Sequence, residues 1–258
     1  MKISSIFFSG SGNTKKIAYY SRTYVNKILK NSVIKKDIDL TLSPINSEHL
    51  YSKDDLLIIS FPVYSGRVPK YIINSIENIK GNNTPCIILQ TYGNRDFDDS
   101  LIEMKTFLEN KSFIILGCCS IVSRHSIFPE VAKDRPNEKD LDILKEFLRL
   151  STKKLSNKDF NNFSVPGNKK YKEYKKSTLY PIANSNCTLC NKCIIFCPVH
   201  AISITDPLVV DENKCIACGK CINVCSFNAR GYFTEEYKVL NENFIKNNSK
   251  PKKSSYYL

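Results

Sequence analysis

The chain has 258 residues, 42% of them hydrophobic, which allows one large domain and one small one. No run of about 18 apolar residues is present, which excludes a helical membrane span. The start Met1-Lys2-Ile3-Ser4 enters a turn motif without a signal-peptide cleavage region, so a cytoplasmic location is expected. Lysine and arginine (38) exceed aspartate and glutamate (25), a formal charge of +13; no nucleic-acid-binding motif accompanies that charge.

Residues 2–8, rich in Ile and Phe, form a short apolar run that predicts a buried strand. It ends in Ser9-Gly10-Ser11-Gly12-Asn13-Thr14, and a helical pattern follows with Ile17, Ala18, Tyr20, Tyr24, Val25, Ile28 and Leu29 on one side. Strand, small polar loop and helix make a phosphate-binding arrangement, because the first amides of a helix lack internal acceptors and face an anion. The loop matches neither G-x-x-x-x-G-K-[ST] nor G-x-G-x-x-G, so a mononucleotide phosphate is expected rather than a triphosphate or dinucleotide.

Strand and helix signals then alternate. Strands are predicted from Val33-Ile34 through Leu40, over 55–61, over 85–91 and from Phe113 to Gly117. Helices are predicted from Pro69 to Ile79, around Leu101–Leu108 and from Glu138 to Leu155. This alternation implies parallel β-α-β units with a sheet covered on both faces. Ligands of such sheets bind beyond the carboxyl ends of the strands. The loops there are Ser9–Thr14, Pro62-Val63-Tyr64-Ser65-Gly66-Arg67 and Thr91-Tyr92-Gly93-Asn94. Tyr64 and Tyr92, each near a glycine, are positioned to lie against a flat ring system such as a flavin.

On these three loops the chain resembles the flavodoxin family over about residues 1–157. The resemblance implies a doubly wound α/β fold, a five-stranded parallel sheet in the order 2-1-3-4-5, and FMN as cofactor. By the resemblance, Ser9, Gly10, Ser11, Gly12, Asn13 and Thr14 bind the phosphate. Pro62, Val63, Tyr64, Ser65, Gly66, Thr91, Tyr92, Gly93 and Asn94 surround the ring. The basic charge departs from the acidic character typical of flavodoxins, so their partner preferences do not transfer.

His125 follows the fifth strand near the same edge. It is a candidate for a catalytic role as a proton donor, as is Tyr64, against the plainer role of stabilising its loop. Residues 158–184 read as a lysine-rich linker in which Tyr171, Tyr174 and Tyr180 imply packing along a surface. Residues 232–258 are a C-terminal extension whose Lys250-Pro251-Lys252-Lys253-Ser254-Ser255 stretch is expected to fray.

Of eleven cysteines, Cys86, Cys118 and Cys119 lie in apolar strand contexts and read as buried small hydrophobes. The other eight form two C-x2-C-x2-C-x3-C runs: Cys187, Cys190, Cys193, Cys197 and Cys215, Cys218, Cys221, Cys225. This is the bacterial iron–sulfur pattern, in which the fourth cysteine of each run ligates the other run's cluster. Zinc sites use separated pairs instead. Residues 185–231 resemble the bacterial two-cluster ferredoxins, a small α+β domain. The resemblance implies one [4Fe-4S] cluster on Cys187, Cys190, Cys193 and Cys225, and another on Cys215, Cys218, Cys221 and Cys197. Pro198 fits the usual Cys-Pro ending of a run; Ser226 departs from it.

The whole chain resembles the fused flavodoxin–ferredoxin proteins of anaerobic microorganisms. Two oxidised clusters and a flavin phosphate would together remove about six charges and leave about +7. That remainder reads either as a solvated lysine-rich surface or as a docking face for an acidic, soluble redox protein. The leading functional expectation is electron transfer between two clusters and FMN. A flavin-dependent reductase fed by its own clusters and a redox sensor are the alternatives.

Overall fold

The computed structural model describes residues 1–30, 32–35 and 37–258. Its centre is a sheet built from the apolar runs: β1 (Lys2–Phe7), β2 (Val33–Ile34), β3 (Ile38–Asp39), β5 (Asp55–Pro62), β7 (Thr84–Tyr92) and β8 (Phe113–Val122). Two short strands, β4 (His49–Leu50) and β6 (Ile79–Lys80), pair beside it. Parallel pairing runs β8-β7-β5-β1-β2, with β3 also on β1. Counting β2 and β3 as one broken strand, this is the 2-1-3-4-5 order of the flavodoxin-like fold.

Helices α1 (Asn13–Ile28), α2 (Lys70–Ser75), α3 (Ser100–Asn110) and α4 (Glu138–Ser156) cover the sheet. Both faces of the sheet are buried, so its strands are mostly apolar, with Ser5, Ser60, Gln90 and Ser120 as buried polar exceptions. Along β5, Leu57, Ile59 and Phe61 pack on one side with Leu101, Met104 and Leu108 of α3. Leu56 and Ile58 pack on the other with Ile17 and Val25 of α1 and with Leu144, Phe147 and Leu148 of α4. Burying each such side chain stabilises the fold by about 1.5–3 kcal/mol. Helix α4 starts in a capping box, Asn137 accepting from the Asp140 amide while Asp140 accepts from that of Asn137.

Three expectations change. The helix expected from Pro69 to Ile79 is the single stretch Lys70–Ser75, and Ile79 belongs to β6. The second strand is broken into two short pieces; Lys36 between them lies outside the described residues. The C-terminal stretch does not fray. After α7 (Glu235–Asn248) it returns as β11 (Ser255–Tyr257), antiparallel to β8 with Tyr256 opposite Cys119. Successive strand residues point to opposite faces, so Tyr257 joins one core layer and Tyr256 meets Phe147 of the other. A three-residue edge ladder and the packing of Tyr257 outweigh the chain entropy of the polar residues before it.

The segment between α4 and the cysteine runs lies along the sheet domain. Asp99 accepts from the amides of Asn168 (2.8 Å) and Lys172 (2.7 Å), and Tyr171 lies under the Arg67 guanidinium. The cysteine module holds a two-stranded pair, β9 (Ile182–Ala183) with β10 (Arg230–Gly231), and two short helices, α5 (Lys192–Ile195) and α6 (Lys220–Asn223). Its sequence repeat is also a backbone repeat. Leu189 and Ala217, Asn191 and Gly219, and His200 all have positive φ, and so does Asn228, the residue that His200 matches 28 positions on.

Candidate cofactor sites

Helix α1 presents its N-terminus to the Ser9–Thr14 loop with no side-chain cap and no acidic residue in its first turn. Ser9 donates its amide to Thr41 Oγ1 (2.8 Å) and accepts the Lys15 amide on Oγ (3.0 Å). Thr14 and Thr91 share a hydroxyl contact of 2.8 Å, and Asn13 Nδ2 donates to the Arg124 carbonyl. The result is a loop whose conformation is fixed by its own side chains, beside a positive helix end whose Lys15 amide is held by Ser9: an environment that favours an anion.

The loop borders a cavity lined by Gly10, Ser11, Thr14, Pro62, Val63, Tyr64, Thr91, Tyr92 and Gly93, with Ser123 to Ser126. The structure thus brings together residues from all three predicted loops. Val63, Tyr64, His125 and Ser126 also line a larger adjoining cavity of about 820 Å³, open mouth included. Its other walls come from Ser65, Arg95, Phe128, the linker (Tyr174 to Ser177), Phe244 of α7, and Ile216-Ala217 of the second cysteine run. The first ring loop is anchored from behind: Arg67 forms a two-point pair with Glu103, and Ser65 donates to the Lys175 carbonyl. Gly66 accepts the Asp99 amide. Burial, then the neighbouring Cys218 thiol, raise the Tyr64 phenol pKa.

Two predicted ring residues have other partners. Asn94 is buried, and Nδ2 donates to the carbonyls of Asn248 (2.8 Å) and Lys250 (3.0 Å) while Oδ1 accepts from the Lys252 amide (2.8 Å). Its amide is saturated by the C-terminal segment. The Tyr92 hydroxyl reaches the Lys253 carbonyl, and its ring meets Phe97 edge-on. His125 Nδ1 accepts the amides of Ile127 and Phe128, contacts that hold its own loop. Burial, with the Arg95 charge, lowers its pKa to about 4, so it is neutral at physiological pH. A Cβ on Gly93 would stand 2.3 Å from the His125 ring, so only glycine lets this imidazole sit against the ring loop.

The cysteine thiols surround two further cavities, grouped across the two runs. Cys187, Cys190, Cys193 and Cys225 line one of about 330 Å³; Cys197, Cys215, Cys218 and Cys221 line one of about 360 Å³, open mouths included in both. Among the described residues, no three His, Cys, Asp or Glu side chains stand close enough to share one metal ion. Thiols spread around a volume suit a multi-atom cluster rather than a single zinc ion. Amide donors meet the sulfurs: Ala201 to Cys197 (3.3 Å), Ala217 to Cys215 (3.4 Å) and Ala229 to Cys225 (3.2 Å). Burial raises the Cys218 thiol to about 12. Cys86, Cys118 and Cys119 are fully buried in the sheet, away from this chemistry, and burial pushes their thiols up.

The two regions meet at one place. Ile216 lines both the second cysteine cavity and the large cavity at the sheet edge. Gly10 abuts the Cys218 backbone, and Asn223 of α6 donates to the Ser11 carbonyl. The first cysteine cavity is lined instead by Phe227, itself 47% exposed, and by the exposed Cys190. Sequence reasoning missed the anchors Asp99, Thr41 and Arg230. Arg230 alone carried a signal, as a charge inside the apolar end of the second repeat.

A family model for the 4Fe-4S dicluster domain matches residues 186–229. No curated protein matches the chain. Among solved structures, a flavodoxin of Streptococcus pneumonia TIGR4 is 14% identical, covering 60% of this chain and 99% of its own, with a TM-score of 0.43. Flavodoxin 2 from Bacillus cereus is 15% identical, covering 60% and 99%, with a TM-score of 0.42. A short-chain flavodoxin associated with a PDU bacterial microcompartment is 8% identical, covering 59% and 97%, with a TM-score of 0.44. A flavodoxin-like parallel sheet followed by a 4Fe-4S dicluster domain fits a flavodoxin–ferredoxin fusion.

Proposed function

We propose that this chain is an iron–sulfur flavoprotein that carries electrons between a redox protein at its surface and a flavin at its sheet edge. The observation that carries the reading is the shared wall at Ile216, with Ala217 both lining the large cavity and donating to Cys215. Residues 1–157 form the flavin-binding domain, 158–184 the linker, 185–231 the cluster domain and 232–258 the extension.

In this reading Ser9 to Thr14 hold the FMN phosphate, and Pro62 to Gly66 with Thr91 to Gly93 border the ring. Asn94 supports that loop from behind. Cys197, Cys215, Cys218 and Cys221 hold the inner [4Fe-4S] cluster; Cys187, Cys190, Cys193 and Cys225 hold the outer one. FMN when bound exchanges electrons singly or in pairs, which suits it to link one-electron centres to a two-electron partner. The protein's own part is to fix the order of the sites, exclude water from Cys218 and leave the rim of Cys190 open. A soluble redox protein is the expected partner. Carrier is preferred over reductase because the cysteine set and the large cavity share a wall at Ile216, and His125 Nδ1 is taken up by two backbone amides of its own loop.

Anaerobic purification with iron, sulfide and flavin analysis tests the reading. About eight irons and one FMN per chain are expected from two clusters and one phosphate loop. A colourless protein containing zinc would refute it.

A further inference from the structure

The two cluster cavities are built from equivalent repeats, yet one position buried in both carries different side chains. Five residues after the crossing cysteine, the inner site has Ile202 (five after Cys197) and the outer site has Arg230 (five after Cys225). Both are 4% exposed, and each lines the cavity of its own set. Arg230 Nη2 donates to Cys193 Sγ at 3.7 Å and to the Pro207 carbonyl, and Nη1 donates to the Pro181 carbonyl at 3.3 Å. Nε is buried and has no protein acceptor, a donor left over for an acceptor that the protein does not supply. No carboxylate lines the cavity to pair with this cation.

A buried guanidinium beside a cluster favours the state with more negative charge, and hydrogen bonds to the sulfurs act in the same direction. Adding one electron makes a cluster more negative by one unit, so the outer site gains a stabilisation that Ile202 cannot give the inner one. We propose that Arg230 is a positioning residue that makes the outer cluster the higher-potential member of the pair, so that the first electron shared by the two clusters rests beneath Cys190 and the open rim. The proposal rests on the ligand sets of the preceding section.

The test compares the wild-type holoprotein with Arg230→Ile, which gives the outer site its counterpart's residue, and Arg230→Lys, which keeps the charge. Iron and sulfide are counted first. Reduction is then followed by EPR potentiometry, with the paramagnetically shifted cysteine β-protons identifying each cluster. In the wild type the outer cluster should be reduced first. R230I should lower its reduced-to-oxidised ratio at a fixed potential at least tenfold, about 59 mV for a one-electron couple. The inner cluster should change less than threefold, and R230K should fall between wild type and R230I. Wild-type protein that reduces the inner cluster first overturns the proposal, as does R230I with both clusters intact and the outer ratio unchanged. If R230I does not retain the outer cluster, the wild-type order and R230K decide, and an R230K ratio unchanged from wild type overturns the proposal. Wild-type protein without two clusters would instead defeat the ligand assignment itself.

Discussion

Gly10 and Cys218 are packed so closely that a Cβ on Gly10 would stand 2.0 Å from the Cys218 carbonyl oxygen. The glycine that sequence reasoning assigned to close approach of a phosphate is required by the backbone of the cluster domain. It is a point of direct backbone contact between the anion loop and the inner cysteine set, so Gly10→Ala should part the two. Electron transfer between flavin and clusters, followed after photoreduction of the flavin, should slow at least tenfold, while iron content stays at the wild-type value. An unchanged rate would show that the contact plays no part in coupling.

Asn94 makes three hydrogen bonds to the C-terminal segment. At about 1 kcal/mol each, Asn94→Ala should cost about 2–3 kcal/mol in denaturant unfolding. Amide exchange should accelerate over residues 252–257. FMN affinity should fall less than threefold; a loss of flavin without faster exchange in the tail would return Asn94 to the ring.

Crossed ligation predicts a specific outcome for the fourth cysteines. Cys225→Ser should remove the cluster shared with Cys187, Cys190 and Cys193 and leave about four irons per chain. Cys197→Ser should remove the inner cluster in the same way. The cysteine β-proton shifts that survive identify the remaining set. Loss of the Cys218 signals in Cys225→Ser would mean that each run ligates its own cluster.

His125 makes stability depend on pH. Its folded pKa is about 4, below the ordinary 6.5, because burial, with Arg95, disfavours the imidazolium. Between those values the unfolded chain binds more protons than the native one, so stability rises with pH through this window and falls on acidification. His125→Asn should flatten the slope between about pH 4 and 6.5 measured by denaturant unfolding. A slope identical to the wild type would contradict the assignment.

The sheet was legible because its strands are continuous apolar runs separated by helical periodicity, and the cluster cysteines because their spacing is chemistry in itself. The broken strand near Val33 and the short α2 were not, since two-residue ladders and one-turn helices depend on tertiary contacts rather than period. The C-terminal strand was hidden by lysines 250, 252 and 253, which mask the short Ser255-Tyr256-Tyr257 run that pairs with β8. Asn94 was placed at its loop correctly, but which way its amide turns is set by a segment over 150 residues later. Arg230 became legible only when the repeat was aligned with itself.

In the proposed arrangement the inner set, and not the outer, adjoins the flavin. Photoreduction kinetics on Cys190→Ser and Cys221→Ser, each retaining one cluster and FMN, test it most directly. Electrons should still pass rapidly from flavin to the remaining cluster in Cys190→Ser, and at least tenfold more slowly in Cys221→Ser. Fast transfer in Cys221→Ser with slow transfer in Cys190→Ser would contradict the arrangement.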